Sequence, residues 1–483
     1  MSRILLASMP FEEVSLCSSD ANRKNEIKCN DGSHYPLGLA YLHAYLKQRG
    51  HAVDMLWLNN ITGDGVTEAH KMIMSAFDYV ALQVLTVNRV STFRFVEVLH
   101  DCFPEIKIIL GGIHATIMYD QILEKYPYVV VVRGEGEETL AELIDEWSKP
   151  DSDFSRVSGI AYHNGTSVVC NPPRELLNLD NIPHPSHCLF MDNGRDTACI
   201  LTSRGCPNHC SFCCLDSISG GKVRFRSVEN ILDELREIHT RFPHVRKIWI
   251  HDDSFFTNER RVIEFCQGVI HSDLDYEFIC SGRIKPVSEE MVRWLERAGF
   301  TLVLMGLESG DETVRLAAHK NITDADVIAT TGIFARHPSI EIAYFLIVGL
   351  PGETVDTIEH GAKFIQRLQK IRYFEYENIG VCSVYPGTEI YKRMCTSGLM
   401  GDSFWMTNAP TPLYTEENSM AQLFEYKETM LDTIAWKRVF TLRGFVKQWY
   451  MLPHMVPYLL GKIVRKLRAA SAACGNGPNG KDC

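Results

Sequence analysis

Apolar and polar positions along the first 148 residues change period repeatedly. Short apolar runs at 3–7, 52–58, 79–85, 107–110 and 129–132 predict strands. Between them, 37–48 and 94–102 carry apolar residues at helical spacing. Strand and helix in alternation predict a doubly wound parallel sheet. In such a sheet, ligands sit at the carboxyl ends of the strands. The same alternation resumes at 198 and continues to about 400, with strand signals at 198–201, 247–251, 278–280, 302–305, 343–348 and 379–384. Between the two lies a connector, 149–197. Alternating flanks around Asn164-Gly165 there predict a hairpin, and Pro172, Pro173, Pro183 and Pro185 predict an extended surface path. Residues 419–440 have helical spacing, and the Gly/Asn-rich tail 471–483 predicts disorder.

At 483 residues the chain exceeds one ordinary core, so two or three domains are expected. The formal charge of −11 argues against a general nucleic-acid binder. Sixteen irregularly spaced cysteines without a recognisable secretory leader predict a reducing, cytoplasmic compartment. No run of eighteen apolar residues occurs. Residues 433–481 contain no Asp or Glu but nine Lys or Arg, and 433–468 interleaves these with Phe445, Trp449, Tyr450 and Tyr458. Such a segment can lie on an anionic membrane surface, cap a substrate cavity, or form a basic helix face over buried aromatics.

The sharpest chemistry is in Gly205-Cys206-Pro207-Asn208-His209-Cys210-Ser211-Phe212-Cys213, directly after a strand signal. A cubane iron–sulfur cluster takes four thiolates, so three on one loop leave one iron open. A zinc knuckle with Cys214 or His209 as fourth ligand is the alternative, although structural zinc sites draw on two separated ligand pairs and no second CxxC is present. The CxxxCxxC spacing, with an aromatic before the last cysteine, resembles the signature of radical S-adenosylmethionine (SAM) enzymes. The resemblance implies that Cys206, Cys210 and Cys213 hold a 4Fe-4S cluster, that SAM chelates the open iron, and that the reduced cluster cleaves SAM to a 5′-deoxyadenosyl radical. It also implies a partial (β/α)6 barrel over 198–400, followed by a helical C-terminal region, 401–470.

Barrel active sites lie at carboxyl ends of strands. Residues there match the needs of SAM: Asp253 and Glu308 for an ammonium or ribose, and Arg283 for a carboxylate. The backbone around Ile347 and Gly349 suits adenine. By resemblance, Asp253, Arg283, Glu308 and Ser309 match positions lining the SAM pocket. The family's adenine motif, Gly-x-Ile-x-Gly-x-x-Glu, is only partly present: Phe345 replaces its first glycine and Glu353 falls one residue late.

Ahead of this, Pro36-Leu37-Gly38, Thr86-Val87-Asn88, Gly111-Gly112-Ile113-His114-Ala115-Thr116 and Gly134-Glu135-Gly136-Glu137 are each compatible with ordinary turns. Together and in this order, 1–148 resembles the Rossmann-like cobalamin-binding domain of one large class of radical SAM enzymes. The resemblance implies cobalamin contacts from Thr86, Asn88, Gly111, Gly112, His114, Gly134 and Glu135. A related module that binds nothing is the alternative. Asp31, His34 and Gly38 do not match the Asp-x-His-x-x-Gly spacing, so no histidine ligand to cobalt is expected from that loop, and His114 is read as a loop residue.

The combination implies a cobalamin-dependent radical SAM enzyme that modifies an unactivated carbon, with C-methylation first and cyclisation, oxidation or ring rearrangement as alternatives. A non-enzymatic corrinoid or SAM sensor would need an effector module, and none is recognisable. A methylthio-transferring enzyme would need a second three-cysteine set, which Cys17 and Cys29 alone do not supply. Implied partners are a small-molecule or lipid substrate and an electron donor such as flavodoxin or ferredoxin, with membrane contact through 433–468 as a further expectation.

Overall fold

A computed structural model of the chain describes residues 2–11, 35–57, 74 and 76–434. They fall into two compact units. The first takes the described residues up to Asp253 together with Ser383–Glu416, and the second takes Ser254–Cys382 and the described residues from Glu417. The division falls inside the stretch expected to form the barrel.

The first unit is built on a seven-stranded sheet of order β2-β1-β3-β4-β5-β6-β7. Its strands are β1 (Arg3–Ser8), β2 (Ala52–Trp57), β3 (Tyr79–Gln83), β4 (Lys107–Gly111), β5 (Val130–Val132), β6 (Ile160–His163) and β7 (Val168–Cys170). The first five are parallel, and their order reverses between β1 and β3, where doubly wound sheets bind ligands. Ile4, Leu5, Leu6 and Ala7 of β1 are all buried, as a strand covered on both faces requires. On one face the helices Leu37–Gln48 and Glu137–Trp147 press Leu39, Leu46, Leu140 and Ile144 onto Ile4, Leu6, Tyr79 and Ile109. The hairpin expected around Asn164-Gly165 is present, and it adds β6 and β7 antiparallel to the edge of this sheet.

The first unit continues with β8 (Thr197–Ile200), β9 (Ser203–Arg204), β10 (Arg224–Phe225) and β11 (Lys247–Ile250). β8 and β11 pair in parallel, and β9 and β10 form a two-residue antiparallel ribbon.

The second unit carries the parallel strands β12 (Glu277–Gly282), β13 (Phe300–Glu308), β14 (Glu341–Val348) and β15 (Glu375–Val381). Phe255, Phe265, Phe278 and Phe300 form its aromatic core, with ring centroids 5.2–5.8 Å apart along the chain of contacts. Helices between the strands start where a side chain can accept from an otherwise orphaned N–H: Asn258, Ser288, Asp311, Thr323 and Thr354 each do so. The expected C-terminal helix is present as Met420–Ile434. The rest of 433–468 and the tail lie outside the described residues, and among the described residues no helix is long and apolar enough to cross a membrane.

Candidate active site

The three-cysteine loop is anchored at its base by two consecutive aspartates. Asp252, at the end of β11, is buried and accepts from the backbone N–H and hydroxyl groups of both Thr202 and Ser203. Asp253 Oδ2 accepts from Gly205 N–H at 2.9 Å. Gly205 has φ +95°, and a Cβ there would stand 2.1 Å from Lys222 O, so no other residue fits. Cys213 N–H then donates to Cys210 O at 3.0 Å, and Asn208 Nδ2 lies 3.2 Å from Cys206 Sγ. Burial pushes the Cys213 thiol up to about 12, and the neighbouring thiols of Cys214, Cys210 and Cys206 add to the shift. These thiols therefore lie within electrostatic reach of one another. His209 pairs with Asp216 at 2.9 Å. Among the described residues no three His, Cys, Asp or Glu side chains close on a single point, as a mononuclear ion needs. A cubane does not ask for that, because its thiolates sit at separate corners. Three soft donors on one anchored loop fit a 4Fe-4S cluster.

In the second unit, Glu308 ends β13 with φ +66°, a left-handed conformation rare for a non-glycine residue. The register with β14 shifts at this point. The Glu308 carboxylate is buried and meets Lys320 Nζ at 2.7 Å. Arg283 donates to Lys320 O at 2.8 Å, which ties its guanidinium to the same segment as the Glu308–Lys320 pair. Ser309 is buried, and its hydroxyl donates to Glu353 Oε1 at 3.3 Å. The other Glu353 oxygen accepts from Gly349 N–H. Burial pushes the Glu353 carboxyl up to about 7. Gly349 has φ +84°, with Leu423 pressed against it. Ile347 precedes it in β14, in register with Gly380.

The expected cobalamin residues divide into framework and open positions. Asn88 is fully buried and ties strand ends together, accepting from Leu85 N–H at 2.7 Å and donating to Met9 O and Gln83 O. Thr86 Oγ1 lies 3.1 Å from His114 Nδ1, and both residues are buried. His114 packs edge-on against Trp405, and burial, with Arg89 beside it, holds its imidazole neutral by lowering its pKa to about 3. A Cβ at Gly112 would stand 2.9 Å from Val84 O, so this glycine serves strand packing. Gly111 has room for a Cβ at 3.7 Å from Val132 O. Gly134, just past the carboxyl end of β5 with φ +74°, has open space around its Cβ position, and its N–H donates to Thr116 Oγ1 at 3.0 Å. Glu135 is held by Arg204 and Arg224. His34 lies outside the described residues.

Sequence reasoning missed Lys320, which sits between His319 and Asn321, both at positive φ, twelve residues beyond its partner Glu308. It also missed Arg204 and Trp405. An arginine two residues ahead of the first cysteine was the only available hint for Arg204.

Comparison with known proteins agrees with this geometry. Residues 200–365 match the Radical SAM superfamily, and residues 27–144 match the B12 binding domain. The chain is 28% identical over 382 residues to an uncharacterized methyltransferase, PH0819, of Pyrococcus horikoshii, covering 77% of this chain and 80% of that protein. It is 27% identical to the anaerobic magnesium-protoporphyrin IX monomethyl ester cyclase of Rubrivivax gelatinosus over 69% of this chain, and spans 62% of that protein's length. The fold resembles OxsB with aqua-cobalamin and SAM bound, with TM-score 0.70, 17% identity and coverage of 91% of this chain and 67% of OxsB. It also resembles the methyltransferase TsrM from Kitasatospora setae with cobalamin and a [4Fe-4S] cluster bound, with TM-score 0.65, 18% identity and coverage of 89% and 85%. Fold and matched regions together define an α/β radical enzyme with a corrin-binding module. The chain belongs to the cobalamin-dependent radical SAM enzymes, whose domains bring a 4Fe-4S cluster, SAM and cobalamin.

Proposed function

We propose that this protein is a cobalamin-dependent radical SAM C-methyltransferase acting on a small molecule. The observation that carries the reading is the shared extent with the P. horikoshii protein named as a methyltransferase, 77% of one chain and 80% of the other. When bound, the three cofactors supply hydrogen abstraction and a transferable methyl group, chemistry that no side chain provides.

In this reading Cys206, Cys210 and Cys213 hold the cluster, and Asp252 and Asp253 fix the loop that presents them. Glu308, Arg283 and Ser309 hold the charged and ribose ends of SAM, with Lys320 fixing the direction of the Glu308 carboxylate. The backbone at Ile347 and Gly349 takes adenine. Gly111 and Gly134 offer backbone to the corrin, and the interlocked Asn88, Thr86 and His114 keep the loops rigid. A flavodoxin- or ferredoxin-type donor supplies the electron in the cytoplasm, and the basic segment 433–468 contacts substrate or an anionic surface.

A second reading, radical ring formation, is favoured by the 27% identity to the R. gelatinosus cyclase. Anaerobically purified protein should contain cobalamin beside about four irons and four sulfides per chain. Incubation with methyl-labelled SAM and extracts of the source cell should place label in a small-molecule product. A product that gains a ring and no label would favour the second reading, and protein without cobalamin would overturn both.

A further inference from the structure

The loop that carries the cysteines is held by the corrin-side loops of the same unit. Arg204, two residues ahead of Cys206, reaches Glu137 Oε1 at 2.7 Å and Glu135 Oε2 at 3.4 Å. Arg224, on the partner strand β10, closes on Glu135 from the other side. Glu135 lies in the loop at the carboxyl end of β5, one of the expected cobalamin loops, and Glu137 opens the helix that follows it. On the opposite flank the short helix Asp216–Ser219, directly behind the cysteines, packs against Ile113–Ile117, the helix that follows Gly111-Gly112. Gly387 sits in that junction. A Cβ there would stand 2.9 Å from Ile117 Cδ1 and 3.1 Å from Ser217 Oγ, and Ser217 donates to Gly387 O at 2.7 Å.

We propose that Arg204, Arg224, Glu135 and Glu137 form an ionic latch that sets the cluster loop in register with the corrin-binding loops, as positioning residues for the reaction; this rests on the function proposed above. Two reactive centres must address one substrate carbon, and a misplacement of about 1 Å can cost about a hundredfold in rate. Buried ion pairs contribute little net stability when compared with apolar packing, and their best-attested use is to specify register. The Glu137 side chain is only 5% exposed and that of Arg204 18%, so the pair lies in the setting where that role applies. Glu135, committed to two guanidinium groups, acts on the corrin through the latch and not by contact.

The test is a double-substitution cycle in the full-length, cofactor-loaded protein: Arg204→Gln, Glu137→Gln and both together, with Arg204→Lys as the conservative control. The probes are hydroxocobalamin reduced to Co(II) and the dithionite-reduced cluster. The readout is dipolar broadening of the Co(II) electron paramagnetic resonance signal by the cluster spin, beside cobalamin and iron stoichiometry. We expect wild-type stoichiometry throughout and broadening changed at least twofold in each Gln variant. The double variant should show no further change, and Arg204→Lys should stay near wild type. Unchanged broadening in both single variants overturns the latch. Loss of cobalamin from Glu137→Gln would also overturn it, because that residue would then hold the ligand itself. If Arg204→Gln does not fold, Glu137→Gln against Arg204→Lys decides alone. Wild-type protein that takes up no cobalamin or no iron defeats the proposed function, and this inference with it, before any variant is made.

Discussion

Glu308 folds its carboxylate back over Gly306, so that a Cβ on residue 306 would stand 2.2 Å from Glu308 Oε1 and 2.7 Å from Lys320 Nζ. The glycine is thus a space reserved for an ion pair, and the left-handed backbone of Glu308 is what turns the carboxylate into it. Gly306→Ala should push the two charges apart inside a buried site. Lys320→Met should go further and strand the Glu308 carboxylate, at a cost of about 3–5 kcal/mol in unfolding free energy. Both variants should keep wild-type iron content and lose SAM affinity at least tenfold by calorimetry. Undiminished affinity would place the pair outside the SAM site.

Glu353 gives a pH dependence with a definite sign. Its carboxyl is raised to about 7 by burial, against about 4.3 in an unfolded chain. Between those values the folded protein keeps a proton that the unfolded chain has lost. Stability therefore falls as pH rises through this window and levels off above about 7, by at most about 3–4 kcal/mol. Glu353→Gln keeps an acceptor for Gly349 N–H and removes the titration. Wild type and variant should differ progressively in denaturant midpoint between about pH 4.5 and 7, with the variant gaining. A constant difference across that range would show that the carboxyl stays charged when folded.

Most elements were legible because their patterns are local. The helix Leu37–Gln48 begins and ends where its apolar spacing does, and every strand predicted up to residue 348 is present. β15 starts at Glu375, ahead of the apolar run at 379, because Glu375, Glu377 and Asn378 hide it from a reading based on hydrophobicity. The helix Arg89–Cys102 starts five residues before the expected 94, since Arg89 reads as a surface residue. It is instead fully buried, donating to Thr86 O and lying 5.3 Å from the Trp405 ring centroid. Trp405 is more than three hundred residues away, and no local pattern can announce such a partner. The site follows the same rule: the cysteine spacing is local and was read directly, while Lys320 and the Arg204–Glu137 pair exist only after folding.

The cluster assignment is tested one thiol at a time. Cys206→Ala, Cys210→Ala and Cys213→Ala should each lose most iron and all reductive SAM cleavage. Cys214→Ala should keep both, although its thiol, pushed up by burial with Asp253 nearby, sits beside the others. The three-thiolate arrangement leaves one iron open for SAM, which a fourth protein thiolate would close. Iron loss in Cys214→Ala with retention in Cys210→Ala would reassign the ligands.

The C-terminal helix and the basic segment behind it have separable roles. Leu423 Cδ2 stands 2.4 Å from where a Gly349 Cβ would be. The helix Met420–Ile434 also buries Tyr426, Met430 and Ile434, packing against Val355–Ile371 and β15. Asn418 Nδ2 donates to Glu353 O at 3.1 Å and its Oδ1 accepts from Tyr426 OH at 3.0 Å, so the approach to the helix is tied to the same loop. This helix is part of the second unit's core. Leu423→Ala should cost about 2–5 kcal/mol, as buried leucine truncations do, and loosen the loop at Gly349, lowering SAM affinity. Removal of everything after Leu442 leaves the helix intact and should keep uncoupled SAM cleavage within twofold of wild type. Its effect should fall instead on sedimentation with anionic liposomes, strong at low salt for the full chain and weak at high salt, because exposed charges are screened beyond about 8–10 Å at physiological ionic strength. Liposome binding that survives the truncation would exclude a membrane role for 443–468, and loss of SAM cleavage in a folded, iron-loaded truncation would make that segment part of the catalytic core.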